Sequence, residues 1–271
     1  MKYRVLALDL DGTLTNSKKE ITEKTKEAIK KTIESGVSIV LASGRPVLGI
    51  RNIAKQLNLE EAGGYILAYN GAKILECKSG KVIFEKLLPM EHYHDICECG
   101  KKFGLNVLTY DKDDVIAESD EEFYIQKEAF NNSARVRKVE CLEKFVTKPV
   151  EKFMIVGQPE KIDEALNYMK SKFINKLNVF CSEPYFMEIT PLGIEKASSL
   201  NRLMEYLKLS SEELMACGDG LNDIPMLEYA GFSVAMENAY SKTKECADYV
   251  TLSNDEDGVS FAIQKFILND M

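Results

Sequence analysis

The chain predicts an α/β protein: a doubly wound, Rossmann-like parallel sheet with an α+β domain inserted into it. Three observations predict this. Near-continuous apolar runs alternate with amphipathic helical segments over residues 1–80, the pattern of strands covered on both faces of a parallel sheet. That rhythm breaks after Asn70 and returns at Pro191. Between the two stretches, short strand pairs and separate helices follow one another as in an independent α+β layer. The expected division is 1–85 and 189–271 for the sheet domain and 86–188 for the inserted one.

The elements justify this in order. Val5, Leu6, Ala7 and Leu8 form the first strand. Residues 22–35 are polar with Ala28, Ile29 and Ile33 at helical spacing, and Gly36 closes the helix. Residues 37–42 are the second strand, ending at Ser43-Gly44-Arg45-Pro46. A helix carrying Ile50, Ile53, Ala54 and Leu57 leads to a third strand at 65–68, which ends at Asn70. Residues 73–77 and 81–87 flank Ser79-Gly80 as a hairpin. Pro89 can open a helix running to Phe103-Gly104. Strands follow at 106–110, 115–117 and 151–156, then a helix at 161–173 and a strand pair at 178–182 and 185–189. Ile162, Ala165, Leu166 and Met169 make the core face of that helix. The βα rhythm resumes with a helix at 196–207, a strand at Met215, a helix at 225–229 and a strand at 232–235. A helix at 241–247 and a strand at 249–251 complete it.

Bulk properties narrow the function classes. At 271 residues, with 45% hydrophobic and 29% charged side chains, the chain can bury a sizeable core. A net charge of -8 without an extended Lys/Arg block argues against nucleic acid as a partner. No apolar run reaches the roughly 18 residues of a membrane span, so no membrane partner is expected. No signal-peptide pattern opens the chain. Seven cysteines, an odd number, fit reduced thiols and a cytoplasmic location. Oligomeric state is open.

The chemistry sits in two acidic loops. Asp9-Leu10-Asp11-Gly12-Thr13 follows the first apolar strand, and Gly218-Asp219-Gly220-Leu221-Asn222-Asp223 follows the strand around Met215. In open α/β sheets, ligands bind at the carboxyl ends of the strands where strand order reverses. If the two strands are neighbours, the side chains of Asp9, Asp11, Asp219 and Asp223 converge on one small volume. Such like charges cannot all stay ionised unaided. A hard divalent cation with oxygen ligands, Mg2+ above all, resolves the repulsion. An aspartate is then available as nucleophile.

With Ser43 ending the second strand and Lys196 within Gly193-Ile194-Glu195-Lys196, the chain carries four ordered motifs. In them it resembles the haloacid dehalogenase superfamily, and within it the Cof-type phosphatases with a C2-type cap. The resemblance covers essentially the whole chain, with Ala197 standing where that subfamily often has Gly. It implies that Asp9 is the nucleophile and Asp11 the acid and base. It implies that Leu10, Gly12, Ser43, Gly44, Lys196 and Asn222 bind phosphate. Mg2+ would take Asp9, Asp11 through its main-chain carbonyl, Asp219 and Asp223, the last directly or through a water. Arg45 and Asn70, at strand ends on the same side, are candidate substrate contacts.

Rival motifs fail. The third glycine of a dinucleotide fingerprint beginning at Gly218 is replaced by Asp223. A calcium loop at Asp9 lacks its closing Glu, and no P-loop exists. His92-x-His94-x-x-Cys97-x-Cys99 invites a zinc reading, but residues two apart on a helix do not share a face, so scattered helix side chains are expected. Residues 111–114 read as a solvated turn. The implied function is hydrolysis of phosphomonoesters on small phosphorylated metabolites, sugar phosphates first. A phosphotransferase or mutase of the same superfamily, or a sugar-phosphate sensor without turnover, remains open. The intact Asp9 and Asp11 pair argues against the sensor.

Overall fold

A computed structural model describes residues 2–269. The chain folds as two compact units, one of Met1–Gly44, Ile50–Phe84 and Glu195–Met271, the other of Arg45–Gly49 and Glu85–Ile194. The expected edge of the insertion at residue 188 falls inside a strand that runs Phe186–Pro191.

The first unit opens with β1 (Val5–Leu8), α1 (Glu23–Glu34), β2 (Ser38–Ala42), α2 (Val47–Gln56), α3 (Leu59–Ala62) and β3 (Tyr65–Ala68). The Thr22 hydroxyl accepts from Thr25 N and caps α1. A hairpin, β4 (Lys73–Glu76) and β5 (Val82–Glu85), ends this half. The insertion supplies α4 (Tyr93–Phe103), β6 (Asn106–Asp111), β7 (Asp114–Ala117), α5 (Phe123–Asn131), β8 (Arg135–Lys138) and α6 (Leu142–Phe145). It continues with β9 (Phe153–Val156), α7 (Pro159–Lys172), β10 (Leu177–Glu183) and β11 (Phe186–Pro191). The first unit is then completed by α8 (Lys196–Leu207), β12 (Leu214–Gly218), α9 (Ile224–Tyr229), β13 (Phe232–Ala235), α10 (Ser241–Glu245), β14 (Tyr249–Val250) and α11 (Gly258–Ile263).

The first unit's sheet runs β14-β13-β12-β1-β2-β3-β4-β5. The strands from β14 to β3 are parallel, and β4 turns antiparallel on β3. β1 lies between β2 and β12, with Leu8 level with both Leu41 and Cys217. Strand order therefore reverses at β1, which creates the crevice at its carboxyl end. Val5, Ala7, Val40, Leu200, Leu203 and Ala216 belong to one buried cluster. Leu6 and Leu8 point to the opposite face and are equally buried, so the central strand is apolar at every position.

The second unit has its own mixed sheet, β10-β11-β9-β6-β7-β8. Phe153, Ile155, Met187 and Ile189 on one face pack with Ile96, Ile162 and Met169 of α4 and α7. The other face carries polar side chains in an otherwise dry setting. Lys152 Nζ lies 3.2 Å from Glu188 Oε2, both nearly fully buried. Glu128 Oε1 accepts from Tyr110 OH at 2.6 Å and from Asn132 Nδ2 at 2.8 Å. Burial, opposed by Lys152 and Tyr110, raises the Glu128 pKa.

Pro89 does not open a long helix directly. A single tight turn, Met90–His92, precedes α4. The sequence reading also left out α5, β8, α6 and α11. α5 exposes Phe123 and Phe130, and β8 reads Arg-Val-Arg-Lys with little burial, so neither shows a clean apolar period. α11 begins at a glycine and contains Val259, a composition that masks a helix.

The Lys152–Glu188 pair gives a stability test. Removing one partner of a buried ion pair leaves an uncompensated charge. Lys152→Met should cost about 3–5 kcal/mol in denaturant unfolding, and Lys152→Met with Glu188→Met should recover most of it. A single variant within about 1 kcal/mol of wild type would show that the pair is not a buried charge pair in solution.

Candidate active site

Because β1 and β12 are hydrogen-bonded neighbours, the loops that follow them meet. Asp9 N donates to Cys217 O at 3.1 Å, one step past the last paired residues. Asp9, Asp219 and Asp223 bring carboxylate oxygens within 4.8 Å of one another. Lys196, the first residue of α8, reaches in from the other side. Its Nζ donates to Asp9 Oδ1 and Asp223 Oδ1, each at 2.5 Å. Lys196 and Asp223 are each 1% exposed, and Asp9 is 7% exposed, so this is an interior ion cluster.

Two glycines make the approach possible. Gly12 has φ +86°, and a Cβ there would stand 2.4 Å from Asp219 Oδ2. A Cβ on Gly218 would stand 2.6 Å from Asp223 Cβ. A side chain at Gly12 would displace the Asp219 carboxylate, and one at Gly218 would displace Asp223 within its own loop. Thr13 Oγ1 donates to Asp219 Oδ1 at 2.6 Å and fixes that carboxylate. Asp223 Oδ2 accepts from the N–H groups of Asp219 and Gly220 at 3.0 and 2.9 Å. Asp223 thus holds its own loop with one oxygen and Lys196 with the other.

The charges do not balance. Three carboxylates face one ammonium. Burial, then the Asp223 charge, pushes Asp9 well above the ordinary carboxylate range despite Lys196. Burial raises Asp219 to about 6, against the Thr13 hydrogen bond. Burial works against the Lys196 charge, yet Asp223 and Asp9 together hold its pKa above the usual lysine value. The lysine therefore stays protonated, and the excess negative charge is relieved by a proton or a cation. An all-oxygen, buried donor set with surplus negative charge suits a hard divalent ion such as Mg2+. The residues present fit that ion.

The other candidates distribute as follows. Leu10 is fully buried, and its carbonyl accepts from Thr15 Oγ1 at 2.9 Å. Ser43 is buried, its N–H donating to Leu67 O and its carbonyl accepting from Asn70 N, both at 2.9 Å. The Asn70 amide lies 3.2 Å from where a Cβ on Gly44 would stand. Asn70 Oδ1 also accepts from Asn222 Nδ2 at 3.5 Å. Gly44, Asn70 and Asn222 are thus brought together. Arg45 belongs to the other compact unit. The Asp11 carboxylate lies outside the group of three whose oxygens fall within 4.8 Å of one another, while its charge still acts on Asp219. It accepts from Lys19 Nζ at 2.6 Å. This does not touch the reading in which Asp11 offers its main-chain carbonyl.

Thr13, Lys19 and Asn238, whose Nδ2 donates to Gly12 O at 2.8 Å, were not singled out from sequence. Thr13 sits inside the first motif and could have been found there. Lys19 and Asn238 carry no local signal.

In the second unit, Cys97 and Cys99 are buried core residues. Among the described residues, no group of three possible metal ligands contains a cysteine. His94 instead lies with Glu98 and Glu143 on the outside, its Nδ1 3.0 Å from Glu143 Oε1.

A doubly wound sheet with an inserted α+β unit, and acidic side chains with a buried lysine at its switch point, defines an α/β protein with a charged site at the carboxyl ends of its central strands. The chain belongs to the haloacid dehalogenase-like hydrolase family, whose model matches residues 6–263, and it is a phosphatase. It is 30% identical over 266 residues to a Bacillus subtilis protein named 5-amino-6-(5-phospho-D-ribitylamino)uracil phosphatase, covering 98% of this chain and 96% of that one. The crystal structure of a haloacid dehalogenase-like hydrolase from Bacteroides thetaiotaomicron superposes with a TM-score of 0.96 at 44% identity, covering 98% of this chain and 100% of that one. A sugar phosphatase of HAD subclass IIB superposes with a TM-score of 0.83 at 27% identity, covering 97% and 98%. Among the described residues, no helix is long and apolar enough to cross a membrane.

The raised carboxylates predict a pH-dependent effect of metal. Asp219 moves from 3.8 to about 6 on folding. Between about pH 4 and 6 the metal-free folded state then binds protons that the unfolded chain has released, so stability falls as pH rises through that window. A divalent cation competes with the same protons. The melting-temperature gain on adding Mg2+ should therefore be small near pH 5 and grow towards about pH 7. A gain that is constant across this range would contradict the cluster's proton binding.

Proposed function

We propose that the chain is a Mg2+-dependent phosphomonoester hydrolase acting on small phosphorylated metabolites, sugar phosphates first, through a phosphoryl group carried transiently on Asp9. The observation that carries this reading is the buried meeting of Asp9, Asp219, Asp223 and Lys196 at the carboxyl ends of β1 and β12. The names of the uracil phosphatase and the sugar phosphatase similar to this chain support the substrate class.

When bound, Mg2+ supplies charge neutralisation at the phosphoryl oxygens. The Asp9 and Asp219 carboxylates, the Asp11 main-chain carbonyl and Asp223 would hold it. The chain's own residues do the rest. An Asp9 carboxylate oxygen attacks phosphorus in line, and the bond from phosphorus to the ester oxygen breaks. Asp11 gives its proton to the departing alkoxide. Water then attacks the phosphorus of the acyl phosphate, Asp11 takes the water's proton, and phosphate leaves as Asp9 is restored. Lys196 and Ser43, with the backbone N–H groups of Leu10, Gly12 and Gly44, hold the phosphoryl oxygens. Asn222 orients the same group, and Arg45 and Asn70 contact the remainder of the substrate. The inserted unit is read as a cap domain, and the chain as cytoplasmic.

Phosphate release across sugar, polyol, nucleotide and aryl phosphates tests this. Asp9→Asn should abolish turnover of every substrate. Asp11→Asn should slow alkyl phosphates by about 10²–10⁴-fold. With an aryl phosphate it should let a phosphorylated Asp9 build up, visible as an added phosphoryl mass. Turnover by Asp9→Asn within about tenfold of wild type would remove the covalent mechanism.

A further inference from the structure

Asp11 lies at the edge of the acidic site, its charge acting on Asp219. The Asp9, Asp219 and Asp223 oxygens group together, and the Asp11 carboxylate does not join them. Instead its Oδ1 accepts from Lys19 Nζ at 2.6 Å. Lys19 sits in a short turn built around Asn16. Asn16 Oδ1 accepts from Lys18 N and Glu20 N, each at 3.0 Å. Asn16 N donates to Glu20 O and Lys19 N to Asn16 O, both at 2.9 Å.

Lys19 itself has φ 63°. That left-handed conformation favours glycine or asparagine and costs a side-chain-bearing residue about 1–2 kcal/mol. Lys112 and Lys208 share that conformation at φ 52° and 59°, so what sets Lys19 apart is its contact with Asp11.

The segment between Asp11 and Lys19 is also anchored. Gly12 O accepts from Asn238 Nδ2 at 2.8 Å, and Thr15 O accepts from Asn254 Nδ2 at 2.9 Å. Ser17 N donates to Asp255 Oδ1 at 2.8 Å. The turn is therefore held against residues 238–255 at both ends. Lys19 is 59% and Asp11 37% exposed at the side chain, so the pair contributes little to stability. Its value lies in direction.

We propose that Lys19 is a positioning residue for Asp11. Its ammonium fixes the Asp11 side chain and keeps that carboxylate from joining the Asp9–Asp219–Asp223 group as a further cation ligand. The carboxyl group of Asp11 is thereby reserved for proton transfer. This rests on the phosphatase reading above, in which Asp11 is the acid and base.

The test compares leaving groups. Glycerol phosphate has a poor leaving group that needs a proton, whereas p-nitrophenyl phosphate leaves with little help. Lys19→Met should lower kcat on glycerol phosphate by about 10–100-fold through misplacement of the acid. KM on glycerol phosphate should stay within about threefold, because Lys19 is not assigned to bind the phosphoryl group. On p-nitrophenyl phosphate the initial release of p-nitrophenol should stay near the wild-type rate, while hydrolysis of phosphorylated Asp9, which also uses Asp11, slows and the phosphorylated form builds up. Lys19→Arg, which keeps the cation, should restore most of the glycerol phosphate rate. The melting temperature of Lys19→Met should match wild type, since the pair is at the surface. An initial p-nitrophenol release slowed as much as glycerol phosphate turnover, or no loss of turnover on either substrate, would overturn the proposal. Wild-type protein that releases phosphate from none of the sugar, polyol, nucleotide and aryl phosphates would overturn the phosphatase reading itself, and that outcome appears before any variant is compared.

Discussion

The structure of the site depends on one imbalance: the buried Asp9 and Asp223 and the half-buried Asp219 gather three carboxylates around one ammonium. Lys196 reaches Asp9 and Asp223 at the same short distance, and Asp219 is left to a hydroxyl hydrogen bond from Thr13. An isolated buried carboxylate would neutralise by taking up a proton. Here the lysine prevents complete neutralisation, and the surplus keeps the pocket attractive to a cation. The same lysine is what a phosphoryl dianion would meet. A site that must hold a metal and an anion together needs both signs of charge present and neither satisfied. Asp223 serves the arrangement differently from its neighbours, because both of its oxygens are already engaged in holding Lys196 and the Asp219 loop.

That imbalance is tolerable only because the fold enforces it. Both acidic loops hang from adjacent parallel strands whose residues are buried throughout. The strands cannot slide without exposing their apolar side chains, so the loops cannot part to relieve repulsion. Gly12 and Gly218 remove the steric obstacle to the approach. Ser199 Oγ, on the helix that carries Lys196, donates to Gly71 O at 2.8 Å. This ties the start of α8 to the turn after β3, where Asn70 also sits. Electrostatic strain in the site is thus offset by burial in the sheet.

Much of this was legible in the sequence, for reasons that differ by residue. β1, β3, β13 and α8 could be located closely because apolar runs and caps mark them. Asp9, Asp219 and Asp223 could be grouped because each lies just past a strand end, and strand ends in a parallel sheet share one side. Lys196 entered only through resemblance, since a lysine opening a polar helix has no local mark of burial. The direction of the Asp11 side chain likewise has no local mark: alternation predicts which way a strand residue faces, but Asp11 lies beyond β1, where the turn at Gly12 and the reach of Lys19 decide. The short elements α5, β8 and α6 were invisible because a few residues with exposed aromatics and cations carry no period.

The two units solve the problem of buried charge in contrasting ways. In the inserted unit, Lys152 and Glu188 form a matched pair, and Glu128 is held by neutral donors from Tyr110 and Asn132. Glu188 has the ammonium and Glu128 has two neutral donors, with the Lys152 charge acting on both, so the network can persist without a ligand and serve to fix the sheet's polar face. In the first unit the carboxylates outnumber their partners and share them. The distinction separates a structural ion pair from a reactive one more sharply than burial does, because Lys152 and Lys196 are almost equally inaccessible. What marks Lys196 as chemical is that removing it would leave two carboxylates unpaired, whereas adding a cation would satisfy them without removing anything. A buried lysine shared by several acids at a strand switch point therefore points to ligand chemistry, and a buried lysine with one acid on a sheet face points to architecture.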